Sequence, residues 1–506
     1  MPSKSGYSGK GNMIKASWPS ILHIGFVLLF SMGCRESLES VRIKIYPDSV
    51  RSDVSHHPVG INMDYFTDDD HYLKPSRGTS DALKAMGVKY LRYPGGNKSD
   101  FYFFSVPPYE ESIPTLARTG RGAVGSRHRM LKNYSEFAVD VLDFDEFMAI
   151  CREIGAEPVI TVAADEYLAD YPEGCTWSSR EELIQHAVEW VRYANVKKGH
   201  GIKYWMIGNE SWHQSNPNST AAIYARDVVD FSIAMKAVDP SIYIIPNGNS
   251  VEFCDTVLAM AGDHMDHLCI SNYPIWQYRE GYASYRDTLQ DLLHPVNRAI
   301  TALGKAVRRK DMKIIIAEYG PFDWAATVAG DHDHSKAWPM INDMGHALCN
   351  FEITGRQLLE PAVLFSQYWN TRWIYNDSIE NSVYDALDRN GNFNAVGYAL
   401  MIWGNFLGDS MVKTTSTVHL RTFASFQPEA DKLFVYLMNM VREPQQVWLD
   451  IENHQAGKVL QAWELAGNGP ADTEPVWRKK EPIGDLKSVK VSGTSITVLE
   501  LQLNQR

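Results

Sequence analysis

Lys313-Ile314-Ile315-Ile316-Ala317-Glu318-Tyr319-Gly320 decides the fold. Its apolar run has no polar alternate, so both faces of the strand need cover, as in a parallel sheet packed between helices. The run stops on a carboxylate. Working outward, similar short runs occur at Pro58 to Tyr65, Val88 to Tyr93, Pro158 to Ala163, Ile202 to Ile207, Ile242 to Ile245, His267 to Ser271 and Val363 to Ser366. Between them lie amphipathic stretches of helical period: Ser80 to Met86, Phe144 to Ile154, Arg180 to Tyr193, Ser219 to Val238 and Tyr285 to Leu303. Ser80 and Asp81 suit a helix start and Gly87 a stop. Eight strand-helix units predict an α/β fold, a closed (β/α)8 TIM barrel over residues 58–407. Functional residues then belong at the strand C-termini, and the long segment Lys98 to Leu142 is expected to be a loop on that face.

The pattern changes after Gly408. Phe434 to Met438, Gln446 to Ile451, Val459 to Trp463 and Ser495 to Leu499 are short strands between turns, predicting a C-terminal antiparallel β-sandwich over residues 408–506. Residues 35–57, through Val41 to Tyr46, are expected to add an N-terminal strand to it. Residues 1–34 read as a targeting signal. Lys4, Lys10 and Lys15 precede the apolar Ile21 to Phe30, and Met13 is an alternative start to Met1. Ser31-Met32-Gly33-Cys34 resembles a bacterial lipoprotein box, although Ser31 stands where an aliphatic residue is usual. The expected location is the cell envelope, lipid-anchored through Cys34, or the exterior as a secreted protein.

Hydrophobic residues make up 44% of the 506 positions and charged residues 22%, which excludes a disordered or collagen-like chain. A net charge of −12 with no basic stripe speaks against nucleic acid as a partner. No later run approaches a membrane helix, so any membrane contact is expected through the anchor alone. The 14 Trp and 25 Tyr suit a site that stacks on sugar rings, though most belong to the core. Six cysteines without a CxxC support neither a zinc ribbon nor a redox motif. Cys151, Cys254, Cys269 and Cys349 lie in apolar segments and read as buried thiols; Cys175 lies in a loop.

Two carboxylates carry the chemistry. Trp205-Met206-Ile207-Gly208-Asn209-Glu210-Ser211-Trp212 ends the fourth strand on an amide and an acid, and Glu318 ends the seventh. Either alone could be a solvated strand terminus. Together they stand across one barrel mouth, and glycoside cleavage needs such a pair, one carboxyl to protonate the leaving oxygen and one to attack carbon or activate water. A short separation predicts retention of anomeric configuration, a long one inversion. This chemistry requires neither metal nor cofactor.

With these residues the chain resembles the clan A glycoside hydrolases, and within the clan the family 51 α-L-arabinofuranosidases. Arg92-Tyr93-Pro94-Gly95-Gly96-Asn97 matches the motif that family carries after strand two. Gln367 matches its strand-eight Gln, and Tyr273 in Ser271-Asn272-Tyr273-Pro274 its aromatic after strand six. The resemblance implies Glu210 as acid/base, Glu318 as nucleophile, and Asn97 and Asn209 as ligands of substrate hydroxyls. It implies double displacement on a terminal α-L-arabinofuranoside of a plant or algal polysaccharide or oligosaccharide. Where the family has Gly-His-Phe-Leu-Glu after strand one, this chain has Gly60-Ile61-Asn62-Met63-Asp64, so Asp64 takes the place of a sugar-binding Glu. The shorter carboxylate and the Arg-rich loop with Arg118, Arg121, Arg127 and Arg129 leave other substrates open. Alternatives are a clan A agarase or porphyranase, a β-xylosidase or a glucuronidase, and outside enzymes a glycan-binding lipoprotein. Trp212, Trp276, Trp324, Trp369 and Trp373 follow strand ends and are candidate sugar platforms, Trp212 and Trp369 foremost. His213 is as easily structural, and His332 and His334 read as an acidic loop rather than a metal site.

Overall fold

The computed structural model describes residues 40–505 apart from 121–139, 165, 169–174, 214–217, 307–310, 327–335, 373–381 and 482. The segment expected to be a signal, with Cys34, and Arg121, Arg127, Arg129, Trp373, His332 and His334 therefore lie outside the described residues. Among the described residues no helix is long and apolar enough to cross a membrane.

Eight parallel strands form the barrel: Val59–Asn62, Tyr90–Tyr93, Glu157–Val162, Tyr204–Ile207, Tyr243–Pro246, Leu268–Asn272, Ile314–Tyr319 and Val363–Tyr368, here barrel strands one to eight. Strand one pairs with two and eight, and the order runs 5-4-3-2-1-8-7-6. A bridge between Asn247 and Cys269 joins strands five and six and closes the ring. Alternation sorts the side chains. Leu91, Ile160, Ile207, Ile270 and Ile316 pack outward under the helices. Tyr90, Val159, Met206, Ile245, Cys269, Ile315 and Phe365 fill the barrel interior. That apolar plug is the floor of the functional site.

The helix expected to start at Ser80 and Asp81 runs Thr79–Met86 from an N-cap at Gly78, without a side-chain cap, while two other helices begin at capping boxes. Asp143 and Glu146 form a capping box before Phe144–Ile154, and Ser179 and Glu182 form another before Arg180–Val191. The expected helix from Tyr285 to Leu303 is instead two, Tyr282–Arg286 and His294–Lys305. Arg421, from the second sheet, donates through Nη2 to the carbonyls of Tyr285, Arg286 and Thr288 at 3.0–3.1 Å. Those are the carbonyls a helix end leaves unpaired. Pro295 then restarts the helix in its first turn. Arg421 also pairs with buried Glu352, locking the sheet to the barrel helix Met344–Leu358.

Among the described residues the second sheet has nine strands. Val41–Asp53 lies within it, antiparallel to Ser410–Thr414 and parallel to Gln445–Ile451. Ile43, Leu420, Val435, Leu449, Val489 and Leu499 share one core although they come from opposite ends of the strand order. The sheet therefore folds over itself into two layers, the sandwich. Cys151, Cys254, Cys269 and Cys349 are free, buried thiols.

Candidate active site

A polar layer lies directly above the apolar plug. Two residues on from Tyr90, Val159, Cys269 and Phe365, the same inward face presents Arg92, Thr161, Ser271 and Gln367. Strand one contributes Asn62, two residues beyond Gly60. A Cβ at Gly60 would lie 2.5 Å from the Tyr90 carbonyl oxygen and 2.9 Å from Gln367 Cγ, so only glycine fits there.

Glu318 reaches this layer through an irregularity. Simple alternation from Ile315 and Ala317, both interior, would turn Glu318 outward. Instead Ile270 pairs with Ile316 and the next residue, Ser271, pairs with Glu318. Ala317 is the extra residue of a β-bulge, which re-aims the following side chain into the mouth. Asn62 Nδ2 donates to the Ala317 carbonyl at 2.9 Å, so the group freed by the bulge keeps a partner.

Arg92 is the hub. Only 1% exposed, it donates from Nη1 to Glu318 Oε1 (2.8 Å) and Asn62 Oδ1 (2.9 Å), and from Nη2 to Asn209 Oδ1 (2.7 Å). Its Nε reaches Thr161 Oγ1 at 3.1 Å. Tyr273 donates to the other Glu318 oxygen, Oε2, at 2.8 Å. Burial, then the charges of Glu318 and Glu210, push the Tyr273 phenol up, so it remains a donor at any working pH.

Glu210 sits after Gly208 and Asn209 in a turn held open by neighbours. Its φ of 47° is left-handed, a strained setting for a residue with a side chain. The turn is clamped by Asn209 N donating to Asp100 Oδ1 (3.1 Å) and Ser211 N to Asn247 Oδ1 (2.9 Å). Ser271 Oγ donates to Glu210 Oε1 at 2.5 Å. Burial and the nearby negative charge of Glu318 raise the Glu210 carboxyl to about 7, against the opposing pull of Ser271 and Arg92. One carboxyl held by a cation and a phenol, beside another kept protonated near neutrality, is the division of labour that acid-assisted displacement needs.

The other expected site residues fare differently. Asn97 is exposed on the loop at the mouth. Trp276 is 47% exposed, and Trp324 packs edge-on against Tyr273 with ring centroids 5.2 Å apart. Trp212 is partly buried beside His213. Trp369 is buried, its ring lying under Gly96, so it is a wall rather than an open platform. Gln367 is fully buried, and its amide has no hydrogen-bond partner among the described residues. Asp64 departs from the expectation. It is fully buried, ion-paired with equally buried Lys98, and accepts from Phe66 N at 2.9 Å. Its shorter side chain stays beneath the Gly95–Gly96 loop, where Lys98 occupies the oxygen a sugar hydroxyl would use. Reading the sequence alone assigned no site role to Arg92, Asn62, Lys98, Asp100 or Ser271. For Arg92 and Lys98 a signal existed, since charged residues flanking a motif that folds into a barrel interior must be paired.

Gly96 carries a prediction. A Cβ there would lie 2.7 Å from Glu318 Oε1 and 2.6 Å from Trp369 Cη2. Neither can yield, because Glu318 is held on both oxygens and the indole is buried. Gly96→Ala is expected to cut kcat/KM by about 100-fold, the usual effect of displacing a reacting group by ~1 Å. The melting temperature should stay near that of the parent. Kinetics within threefold of the parent would show that the contact does not matter.

Comparisons with known proteins find likeness in sequence and in fold. A family model described as alpha-L-arabinofuranosidase 1 domain matches residues 82–290. The intracellular exo-alpha-(1->5)-L-arabinofuranosidase of Acetivibrio thermocellus is 27% identical over 213 residues, covering 38% of this chain and 37% of that protein. Alpha-L-arabinofuranosidase C of Emericella nidulans is 31% identical over 183 residues, 33% of this chain and 31% of that protein. The matched stretch thus spans about a third of each curated relative. The alpha-L-arabinofuranosidase of Thermotoga maritima, solved as an arabinose complex, superposes with a TM-score of 0.68 at 19% identity over 91% of this chain and 99% of that one. A family 44 xyloglucanase of Paenibacillus polymyxa gives 0.62 at 14% identity over 92% and 99%, a likeness of fold. The chain is thus similar in fold, and over part of its length in sequence, to clan A glycoside hydrolases. Within that clan the likeness is to the family 51 α-L-arabinofuranosidases.

Proposed function

We propose that the protein is a retaining glycoside hydrolase that releases terminal α-L-arabinofuranosyl residues from plant or algal glycans. Glu210 acts as acid/base and Glu318 as nucleophile. The observation that carries the reading is the contrast between the two carboxyls. Glu318 is held by Arg92 and Tyr273, and Glu210 is raised to about 7 by burial and by Glu318. In the first step Glu318 attacks the anomeric carbon while Glu210 gives its proton to the departing oxygen. Esterification of Glu318 removes its charge. Glu210 is then more acidic and can take a proton from water as water attacks the ester. Arg92 also braces the Asn209 amide, which can meet a sugar hydroxyl.

Hydrolysis of an aryl α-L-arabinofuranoside in the presence of methanol tests this reading. The methyl furanoside formed should keep the α configuration, seen by proton NMR. A β product, or no release from any aryl furanoside, would overturn it.

A further inference from the structure

The end of barrel strand six and the residue just past it supply two hydroxyls, two residues apart, and each serves a different carboxyl. Tyr273 donates to Glu318 and Ser271 to Glu210. The bulge at Ala317 puts Ser271 directly opposite Glu318 in the strand pairing, so its hydroxyl lies between the two acids' elements. Glu210 itself sits on a left-handed turn whose backbone clamps, Asp100 and Asn247, hold its neighbours and leave its own side chain to be aimed by contacts at its tip. Among the described hydrogen bonds to that carboxyl, the Ser271 hydroxyl is the donor.

We propose, resting on the function given above, that Ser271 is a positioning residue for Glu210: its hydroxyl holds the carboxyl toward the departing oxygen and sets the pH range over which the acid/base works. A hydroxyl that donates to a carboxylate favours the ionised form. The other charged or titratable groups that face Glu210 are Glu318 from strand seven, Arg92 from strand two, and Tyr273 and Cys269 from strand six. Glu318 opposes ionisation of Glu210 and Arg92 favours it. Tyr273 and Cys269 remain neutral, because burial raises both. Ser271 is therefore a neutral group that tips Glu210 toward giving its proton up without adding a charge to the site.

The two half-reactions separate this role from a structural one. Glycosylation of a substrate with a poor leaving group needs protonated Glu210, so kcat/KM is present below the acid's pKa and falls above it. Deglycosylation needs ionised Glu210, so kcat for an activated aryl substrate falls at acid pH. In Ser271→Ala both limbs should move to higher pH by about 0.5–1 unit, the worth of one hydrogen bond. Ser271→Thr keeps the hydroxyl and should return both limbs to the parent positions. A carbon-13 titration of the Glu210 carboxyl, with a label confined to glutamate, should show the same upward move without relying on turnover. Limbs and titration unmoved in a folded Ser271→Ala protein would overturn the inference, as would a Ser271→Thr profile that stays with the Ala variant. The parent enzyme provides the control for the underlying reading: if it gives retained product and a two-limbed profile, an unmoved variant sinks only the role of Ser271.

Discussion

Glu318→Ala is expected to lower kcat/KM on every furanoside substrate by about 10,000-fold or more, the scale on which loss of an enzyme nucleophile acts. The groups that bond the Glu318 carboxyl are the Arg92 guanidinium and the Tyr273 phenol, which burial keeps protonated, so neither replaces an ionised carboxylate. The Ala variant also leaves Arg92 buried at 1% exposure without its anion, which costs about 3–5 kcal/mol of stability. Glu318→Gln keeps the shape and removes the nucleophile, so it should be as inactive while melting closer to the parent. Added azide should restore turnover in the folded Ala variant by occupying the cavity, with inverted configuration in the glycosyl azide. Turnover within tenfold of the parent, measured after removal of contaminating activity, would end the double-displacement assignment.

The second large effect is selective. Glu210→Ala should reduce kcat/KM about 1,000-fold for substrates whose leaving group is a sugar or an alkyl alcohol, which need a proton from the enzyme. For a dinitrophenyl leaving group, which departs unaided, glycosylation should be barely slowed. The slow step becomes attack of water without a base, so a burst of phenol followed by a low steady rate is expected. In the parent, the alkaline fall of kcat/KM is expected near 7, where burial and Glu318 place the Glu210 carboxyl. The acid form is the active one in this step, so activity is present below that pH and lost above it. The variant should lose this limb with activated substrates. Equal losses for good and poor leaving groups would assign Glu210 a binding role instead.

Much of this arrangement was legible in the chain because burial leaves a pattern. The eight runs from Pro58 to Ser366 had to be strands covered on both sides, and each became one. Gly87 stops its helix as read, whereas the start falls at Gly78 rather than at Ser80 or Asp81. Glu210 and Glu318 could be read as candidates because each lies near the end of an apolar strand. What was not legible depends on partners distant in sequence. The helix expected from Tyr285 to Leu303 has an adequate period, yet Arg421 takes its carbonyls at Thr288 and it breaks. Asp64 reads as a sugar ligand by position, yet Lys98 claims it inside the fold. Ser271 and Asn62 are ordinary polar residues until their partners are known.

The sequence by itself determined the barrel and the added sandwich, and it marked Glu210 and Glu318 as candidates, because hydrophobic period and strand ends are local properties of a chain. Only the tertiary structure decided that the acids meet. The bulge at Ala317 turns Glu318 inward against the alternation its own strand would impose, and Asn62 of strand one stabilises that bulge. Arg92 then ties Glu318 to Asn209 across the mouth, and Glu318 in turn raises the proton affinity of Glu210. Register, charge pairing and proton affinity are set by neighbours in space, and these come from strands one, two, four, six and seven of the closed ring.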